Sequence, residues 1–296
     1  MADVNLNGIG VALVTPFKKD YSIDYEALDK LLDHLMKGYC DYFVILGTTA
    51  ETPTLSLDEK LMVTRFVKEK IGGRIPLVLG IGGNNTMGIV KDIQTRDLDG
   101  YSAILSVAPY YNKPTQEGLY QHFKTICDNS PLPIVLYNVP SRTGVNISAK
   151  TTLRLADYSP KIAGIKEASG NLEQIEEIIK NSDDNFAVIS GNDSDTFPLM
   201  RMGAKGVISV LGNAFPKEVK HLYNLCVNRK YEEAESFQRS LNPIIGSLFE
   251  DGNPAGVKAL LSHMGILENV LRLPLIPVSA FVESKLKKEA GNLSNL

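Results

Sequence analysis

Eight short runs of Val, Ile and Leu recur along most of the chain, at 10–17, 41–47, 75–83, 101–109, 133–139, 162–169, 185–193 and 206–213. Polar and apolar residues hardly alternate within them. That is how strands buried on both faces look, as in a parallel sheet. Between the runs, apolar residues return at helical spacing. Leu28, Leu31, Leu32 and Leu35 share one face of a helix predicted over 25–36. Leu61, Met62, Phe66 and Val67 do so over 58–71, and Leu172, Ile175, Ile178 and Ile179 over 171–180. Ser22, Thr86 and Thr115 stand where helix N-caps belong, and Ser56 with Glu59 makes a capping box. The strand starts are 28 residues apart on average, about one strand–helix unit. This periodicity predicts an α/β fold, a (β/α)8 TIM barrel, in preference to an open doubly wound sheet. From Phe215 the pattern is helical, at 216–228, 231–249, 254–264 and 278–290. The first of these helices completes the barrel. The expected division is a barrel over 1–229 and a helical C-terminal extension over 230–296, with 291–296 frayed.

Composition changes this picture little. Lys and Arg number 31 against 34 Asp and Glu, a net charge of −3, which offers no electrostatic footing for a nucleic acid partner. Hydrophobic residues at 44% and charged residues at 22% exclude bulk disorder. Cys40, Cys127 and Cys226 have no CxxC spacing and are expected as buried free thiols. The opening MADVNLNGIG lacks a basic stretch followed by an apolar one, and no apolar run approaches the roughly 20 residues that cross a bilayer. A cytoplasmic protein without a membrane partner is expected. No phosphate-binding glycine fingerprint and no GxSxG elbow occurs. His34, His122, His221 and His263 fall in predicted helices without an HxxxH pair, so no metal site is expected.

Barrel enzymes carry their chemistry at the C-terminal ends of the strands and in the loops that follow. Lys166 is the sharpest signal there, a lysine inside the otherwise small and apolar run IAGIKEAS. Lysines are rarely buried unpaired. A desolvated amine can attack a carbonyl to form a Schiff base. The plainer alternatives are an ion pair, for instance with Glu167, or snorkelling to the rim. Tyr137 ends the fifth strand, where a phenol can shuttle protons, unless it is a core tyrosine with a satisfied hydroxyl. Arg142 follows, and its fork suits a carboxylate, although a solvated loop arginine reads the same way. Thr48 and Thr49 in GTTAET follow the second strand, where they either hold a carboxylate or cap a helix. Tyr110 and Tyr111 follow the fourth strand and point in different directions, so that one faces the site and the other an interface, unless they are surface aromatics of a rigid loop. Gly191 and Ile208 belong to the seventh and eighth strand ends, as backbone contacts or as turn and core packing.

Taken together, these segments resemble the dihydrodipicolinate synthases, within the Schiff-base pyruvate-lyase group that includes N-acetylneuraminate lyase. The marks are GTTAET (47–52), APYYNKPTQEGLYQHF (108–123), LYNVPSRTG (136–144), GIKEASG (164–170), SGND (190–193) and GVISV (206–210). The resemblance runs from Gly8 to the C-terminus. It implies that Lys166 forms the Schiff base with pyruvate and that Tyr137 handles protons. It implies a proton relay of Tyr137 with Thr48 and Tyr111, the last lent by a neighbouring subunit. Thr49 and the main chain at Ile208 would position pyruvate. Arg142 would hold the carboxylate of L-aspartate 4-semialdehyde, with Gly191 lining the pocket beside it. The implied product is 4-hydroxy-tetrahydrodipicolinate, on the diaminopimelate route to lysine. No metal and no organic cofactor is implied, and the implied assembly is a homotetramer, a dimer of dimers.

Two departures stand out. Ala50 replaces the usual glycine of the GTTGE segment, which matters if that position needs positive φ. Lysine-inhibited members of the family carry a glutamate on the helix after strand three and histidines near the start of helix two. Here Gly88, Leu57 and Lys60 stand at those positions, while Asn84, Thr52 and Tyr110 remain compatible. Weak or absent lysine inhibition is expected. The competing readings are another lyase or dehydratase of the same group acting on a sugar acid, and a catalytically silent barrel that binds a keto acid. Arg142 disfavours the first. The joint presence of Lys166, Tyr137, Thr48 and Tyr111 disfavours the second.

Overall fold

Buried apolar strands build the frame. The computed structural model describes residues 4–293. Its strands are β1 (Gly8–Ala12), β2 (Tyr42–Ile45), β3 (Leu77–Gly80), β4 (Ala103–Val107), β5 (Ile134–Asn138), β6 (Ile162–Glu167), β7 (Ala187–Ser190) and β8 (Gly206–Ser209). They lie parallel and close into a barrel in chain order. Every residue of β1, β2, β5, β7 and β8 is buried, which explains the lack of alternation in their sequences. At the closing seam the Gly8 amide donates to the Lys205 carbonyl at 3.0 Å.

The helices that alternate with the strands are α1 (Tyr25–Lys37), α2 (Leu57–Ile71), α3 (Thr86–Thr95), α4 (Gln116–Asn129), α5 (Pro140–Thr143), α6 (Ala149–Tyr158), α7 (Leu172–Asn181), α8 (Thr196–Met202) and α9 (Pro216–Val227). Beyond them lie α10 (Tyr231–Glu250), α11 (Ala255–His263) and α12 (Ala280–Leu293). The fold is therefore the (β/α)8 barrel with C-terminal helices that the periodicity predicts. By compactness the chain divides into two units. One takes the chain through Gly8 and Pro76–Ile208, and the other Ile9–Ile75 and everything from Ser209 on. Among the described residues, no helix is long and apolar enough to cross a membrane.

Several boundaries differ from expectation. The first strand lies earlier, at 8–12, because Val14 turns its amide to the Asn213 side chain at 3.2 Å and Pro16 has no amide to give. Asp24, not Ser22, caps α1 by accepting from the Ala27 amide at 3.0 Å, while the Ser22 hydroxyl donates to Asp20. Asn85, not Thr86, caps α3, and the Thr86 hydroxyl pairs with the His122 ring instead. The Thr115 cap and the Ser56–Glu59 box form as predicted. In α2 the buried face is Val63, Thr64, Val67 and Ile71, while Leu61 and Met62 are exposed. In α7 Ile175 and Ile178 are buried and Leu172 is exposed. Residues 291–293 are not frayed, because Val282, Leu286, Ala290 and Leu293 form a buried stripe that carries α12 to Leu293. The rest of the predicted frayed tail, 294–296, lies outside the described residues. All three cysteines are buried free thiols.

Candidate active site

In the first unit, β5 and β6 end together. Tyr137 is the register partner of Lys166, and Asn138 that of Glu167. Successive side chains of a strand point to opposite faces, so Lys166 and Glu167 part company. Lys166 is only 5% exposed, yet among the described residues no carboxylate pairs with it. Its Nζ stands 4.4 Å from the centre of the Tyr137 ring. The ion pair with Glu167 that offered a plain explanation for Lys166 is absent, because Glu167 is engaged elsewhere. Its carboxylate accepts short hydrogen bonds from Asn138 Nδ2 and Ser169 Oγ.

That neighbouring network is dense. Asn138 Nδ2 also donates to Asn146 Oδ1 at 2.7 Å, and its Oδ1 accepts from the Ile147 amide at 2.9 Å. Asn146 in turn donates to Gln174 at 2.7 Å. Burial pushes the Glu167 carboxyl up to about 7, against the opposing pull of the Ser169 and Asn138 hydrogen bonds. Every residue of this network is satisfied by a fixed partner, so the ends of β5 and β6 are held rigidly one residue beyond Tyr137 and Lys166.

The other expected residues of this unit are dispersed over loops and strand ends. Arg142 is exposed on α5, a single turn that Gly144 stops at φ 73°. Gly191 follows β7, and its amide donates to the Glu167 carbonyl at 2.7 Å. A Cβ there would come within 2.9 Å of that same carbonyl oxygen, which accounts for the glycine by close packing. Ile208 is buried in β8. Tyr111 takes the left-handed region at φ 72° and is 89% exposed, and its ring joins no aromatic cluster among the described residues. Its loop is anchored by Asn84, which donates to the Tyr110 carbonyl at 3.1 Å, and by Asn112, which donates back to the Asn84 carbonyl at 2.9 Å.

In the second unit, Thr48–Ala50 form a 3-10 turn after β2. Thr48 is half-buried, and Thr49 is buried with its Oγ1 accepting from Asn253 Nδ2 at 3.0 Å. Because Thr49 accepts that bond, its own O–H remains free to donate. The positive φ feared for Ala50 falls instead on its neighbour Glu51, at 53°, so alanine is accommodated. Sequence reasoning quoted Glu51 within GTTAET without giving it a part of its own, and it missed Asn253 and Lys258. Glu51 and Lys258 form an ion pair with no exposure on either side chain. The signal for Lys258 was present, since it is a lysine within the apolar run PAGVKALL, the same kind of pattern that singled out Lys166.

Comparison with known proteins decides the family. The profile of the dihydrodipicolinate synthetase family matches residues 5–292. The chain belongs to this family. A relative from Parabacteroides distasonis, named 4-hydroxy-tetrahydrodipicolinate synthase, is 53% identical over 294 residues, 99% of each chain. A crystal structure of dihydrodipicolinate synthase from Thermotoga maritima has a TM-score of 0.95 at 39% identity, covering 99% of this chain and 100% of that one. A third relative, described as a monomeric dihydrodipicolinate synthase variant, has a TM-score of 0.94 at 39% identity over 98% and 97% of the two chains.

Proposed function

We propose that this chain is a lyase that condenses pyruvate with L-aspartate 4-semialdehyde to give 4-hydroxy-tetrahydrodipicolinate, the first committed step of the diaminopimelate route to lysine. Membership of the family and the 53% identical relative support the reaction. The observation that carries it to particular atoms is Lys166, buried with no carboxylate partner and set beside the Tyr137 ring.

The Lys166 amine attacks the pyruvate ketone, and water leaves to give a protonated imine. That imine is an electron sink, so a methyl proton becomes removable and an enamine forms. The enamine carbon attacks the aldehyde. The amine of the former semialdehyde then displaces Lys166 by transimination and closes the ring. Tyr137 donates and accepts the protons of these steps, relayed by Thr48 and by a Tyr111 lent from a neighbouring subunit. General acid–base help of this kind contributes roughly 10²–10⁴-fold. Thr49 and the main chain at Ile208 hold pyruvate. Arg142 holds the semialdehyde carboxylate, with Gly191 beside it.

The exposure of Tyr111 leaves its ring available for a subunit contact, and the proposed assembly is a homotetramer; the proposed location is the cytoplasm. The existence of a relative described as monomeric makes the assembly a separate question from the chemistry. The working division is a barrel over 1–229 and an extension over 230–296, with the boundary in the turn before α10.

The test is a coupled assay with pyruvate and L-aspartate 4-semialdehyde, in which dihydrodipicolinate reductase reports product through NADPH loss. Turnover by the wild type and none by Lys166→Ala is expected. No turnover, with a pyruvate adduct still trapped by borohydride, would overturn the substrate assignment in favour of a sugar acid. No adduct would overturn the Schiff base.

A further inference from the structure

The Thr48–Ala50 turn is braced from behind by charges that the reaction above does not use. Two non-glycine residues in the left-handed region bracket it, Leu46 at φ 58° and Glu51 at φ 53°. Such residues persist only where their surroundings over-determine them. For Glu51 the surroundings are explicit. Lys258 Nζ donates to its Oε1 at 2.5 Å, and the Arg272 amide donates to its Oε2 at 3.0 Å. Lys258 donates as well to the Val270 carbonyl at 2.9 Å and lies 4.1 Å from the centre of the Phe17 ring. The Arg272 guanidinium stacks on the same ring, 4.4 Å from its centre, and donates to the carbonyls of Thr54 and Tyr21 and to Glu59.

Burial drives the Lys258 ammonium down to about 8, with the Glu51 charge opposing the fall. A buried ion pair is a poor device for stability, since well-packed apolar residues of the same volume do as well or better. In some proteins such a pair fixes one conformation instead, and the backbone that this pair holds is the end of the turn. The hydrogen bond from Asn253 to Thr49 reaches the turn from the same stretch of the C-terminal extension, five residues before Lys258.

We infer that Glu51 and Lys258 are positioning residues for the condensation. Their buried pair locks the Thr48–Thr49 turn in the conformation that the proposed reaction uses, which makes the C-terminal extension part of the catalytic apparatus. The inference rests on the assignment of Thr48 and Thr49 to the reaction proposed above. Removing one partner would strand a buried charge, so both are replaced together by neutral groups of similar volume, Glu51→Gln with Lys258→Met.

Four proteins are compared: wild type, Thr49→Val, the Glu51→Gln/Lys258→Met pair, and all three changes combined. The readouts are kcat/KM for pyruvate, the rate of borohydride-trappable adduct formation on Lys166, and the thermal midpoint. The paired change is expected to lower kcat/KM at least tenfold when Thr49 is present and by a clearly smaller factor when it is Val, because only the part of the loss that passes through Thr48 then remains. A structural role alone would shift the midpoint and leave the loss equal in both backgrounds, and that result, or no loss at all, overturns the inference. Should the paired variant not fold, Lys258→Arg takes its place in the same cycle, because it keeps the charge and displaces only the geometry. Adduct formation by the wild type distinguishes the two levels. Its absence overturns the proposed reaction and this inference together, whereas its presence with equal losses overturns this inference alone.

Discussion

Lys166 and Tyr137 are direct register partners on β6 and β5, and the lysine nitrogen stands 4.4 Å from the centre of the phenol ring. The pairing gives each a distinct expected phenotype. Lys166→Ala should form no pyruvate adduct after borohydride, read by intact mass. Tyr137→Phe should still form it, but turn over roughly 10²–10⁴-fold more slowly. Wild-type turnover by Tyr137→Phe would remove the phenol from the proton path.

Arg142 is exposed, on a single helical turn at the end of β5. A charge-assisted hydrogen bond to a carboxylate contributes about 1.5–3 kcal/mol, a factor of roughly ten to a hundred. Arg142→Ala should raise KM for the semialdehyde by that factor and leave KM for pyruvate unchanged. Unaltered semialdehyde kinetics would show that the guanidinium binds something else.

Lysine should inhibit weakly or not at all. Position 88 on α3 has no side chain, Leu57 opens α2 as an apolar residue with 61% of its surface exposed, and Lys60 brings a cation, so none supplies the carboxylate or imidazole that stands there in lysine-inhibited members. An inhibition curve that reaches half effect at submillimolar lysine would contradict this.

Glu167 sets a pH dependence of stability. Burial raises its carboxyl from the ordinary 4.5 to about 7 in the folded protein. Between those values the folded state holds a proton that the unfolded chain has lost. Stability from this group is therefore present at low pH, declines as pH rises from 4.5 to 7, and stays lost above that. At 1.36 kcal/mol per unit the full effect is at most about 3 kcal/mol. Glu167→Gln should melt higher than wild type at pH 8 and close to it at pH 5. Parallel melting curves across that range would mean that the buried carboxyl is accommodated in its charged form.

Gly191 leaves no room for a methyl group, since a Cβ would meet the Glu167 carbonyl oxygen at 2.9 Å and the Ala168 Cβ at 2.8 Å. Overpacking of this kind costs about 1–3 kcal/mol. Gly191→Ala should lower the thermal midpoint and reduce turnover, because the strain falls on the strand that carries Lys166. An unchanged midpoint would mean that the turn relaxes freely.

The barrel and Lys166 were legible in the chain for one shared reason. Burial on both faces writes an uninterrupted apolar run, and a charged residue within such a run stands out. The remainder was hidden by distance or by competition. Asp24 and Asn85 outcompeted Ser22 and Thr86 as caps, which neighbouring cap-forming residues make unreadable from spacing. Leu61 and Met62 seemed part of a core face, although the 63–67–71 series carries it. The partners Glu51 and Lys258 are 207 residues apart, so no local pattern joins them.

The seam between β1 and β8 has a consequence for how the gene can drift. A Cβ on Gly206 would lie 1.9 Å from the Gly8 carbonyl oxygen, on rigid backbone. Gly246, in the interior of α10, has nothing within 4 Å of the same atom. Alanine at 246 gains about 1 kcal/mol of helix propensity, whereas alanine at 206 opens the ring of strands. Two codons for the same amino acid thus stand at opposite ends of the tolerance scale, and in a saturation library the closing stitch of the barrel would appear as a silence.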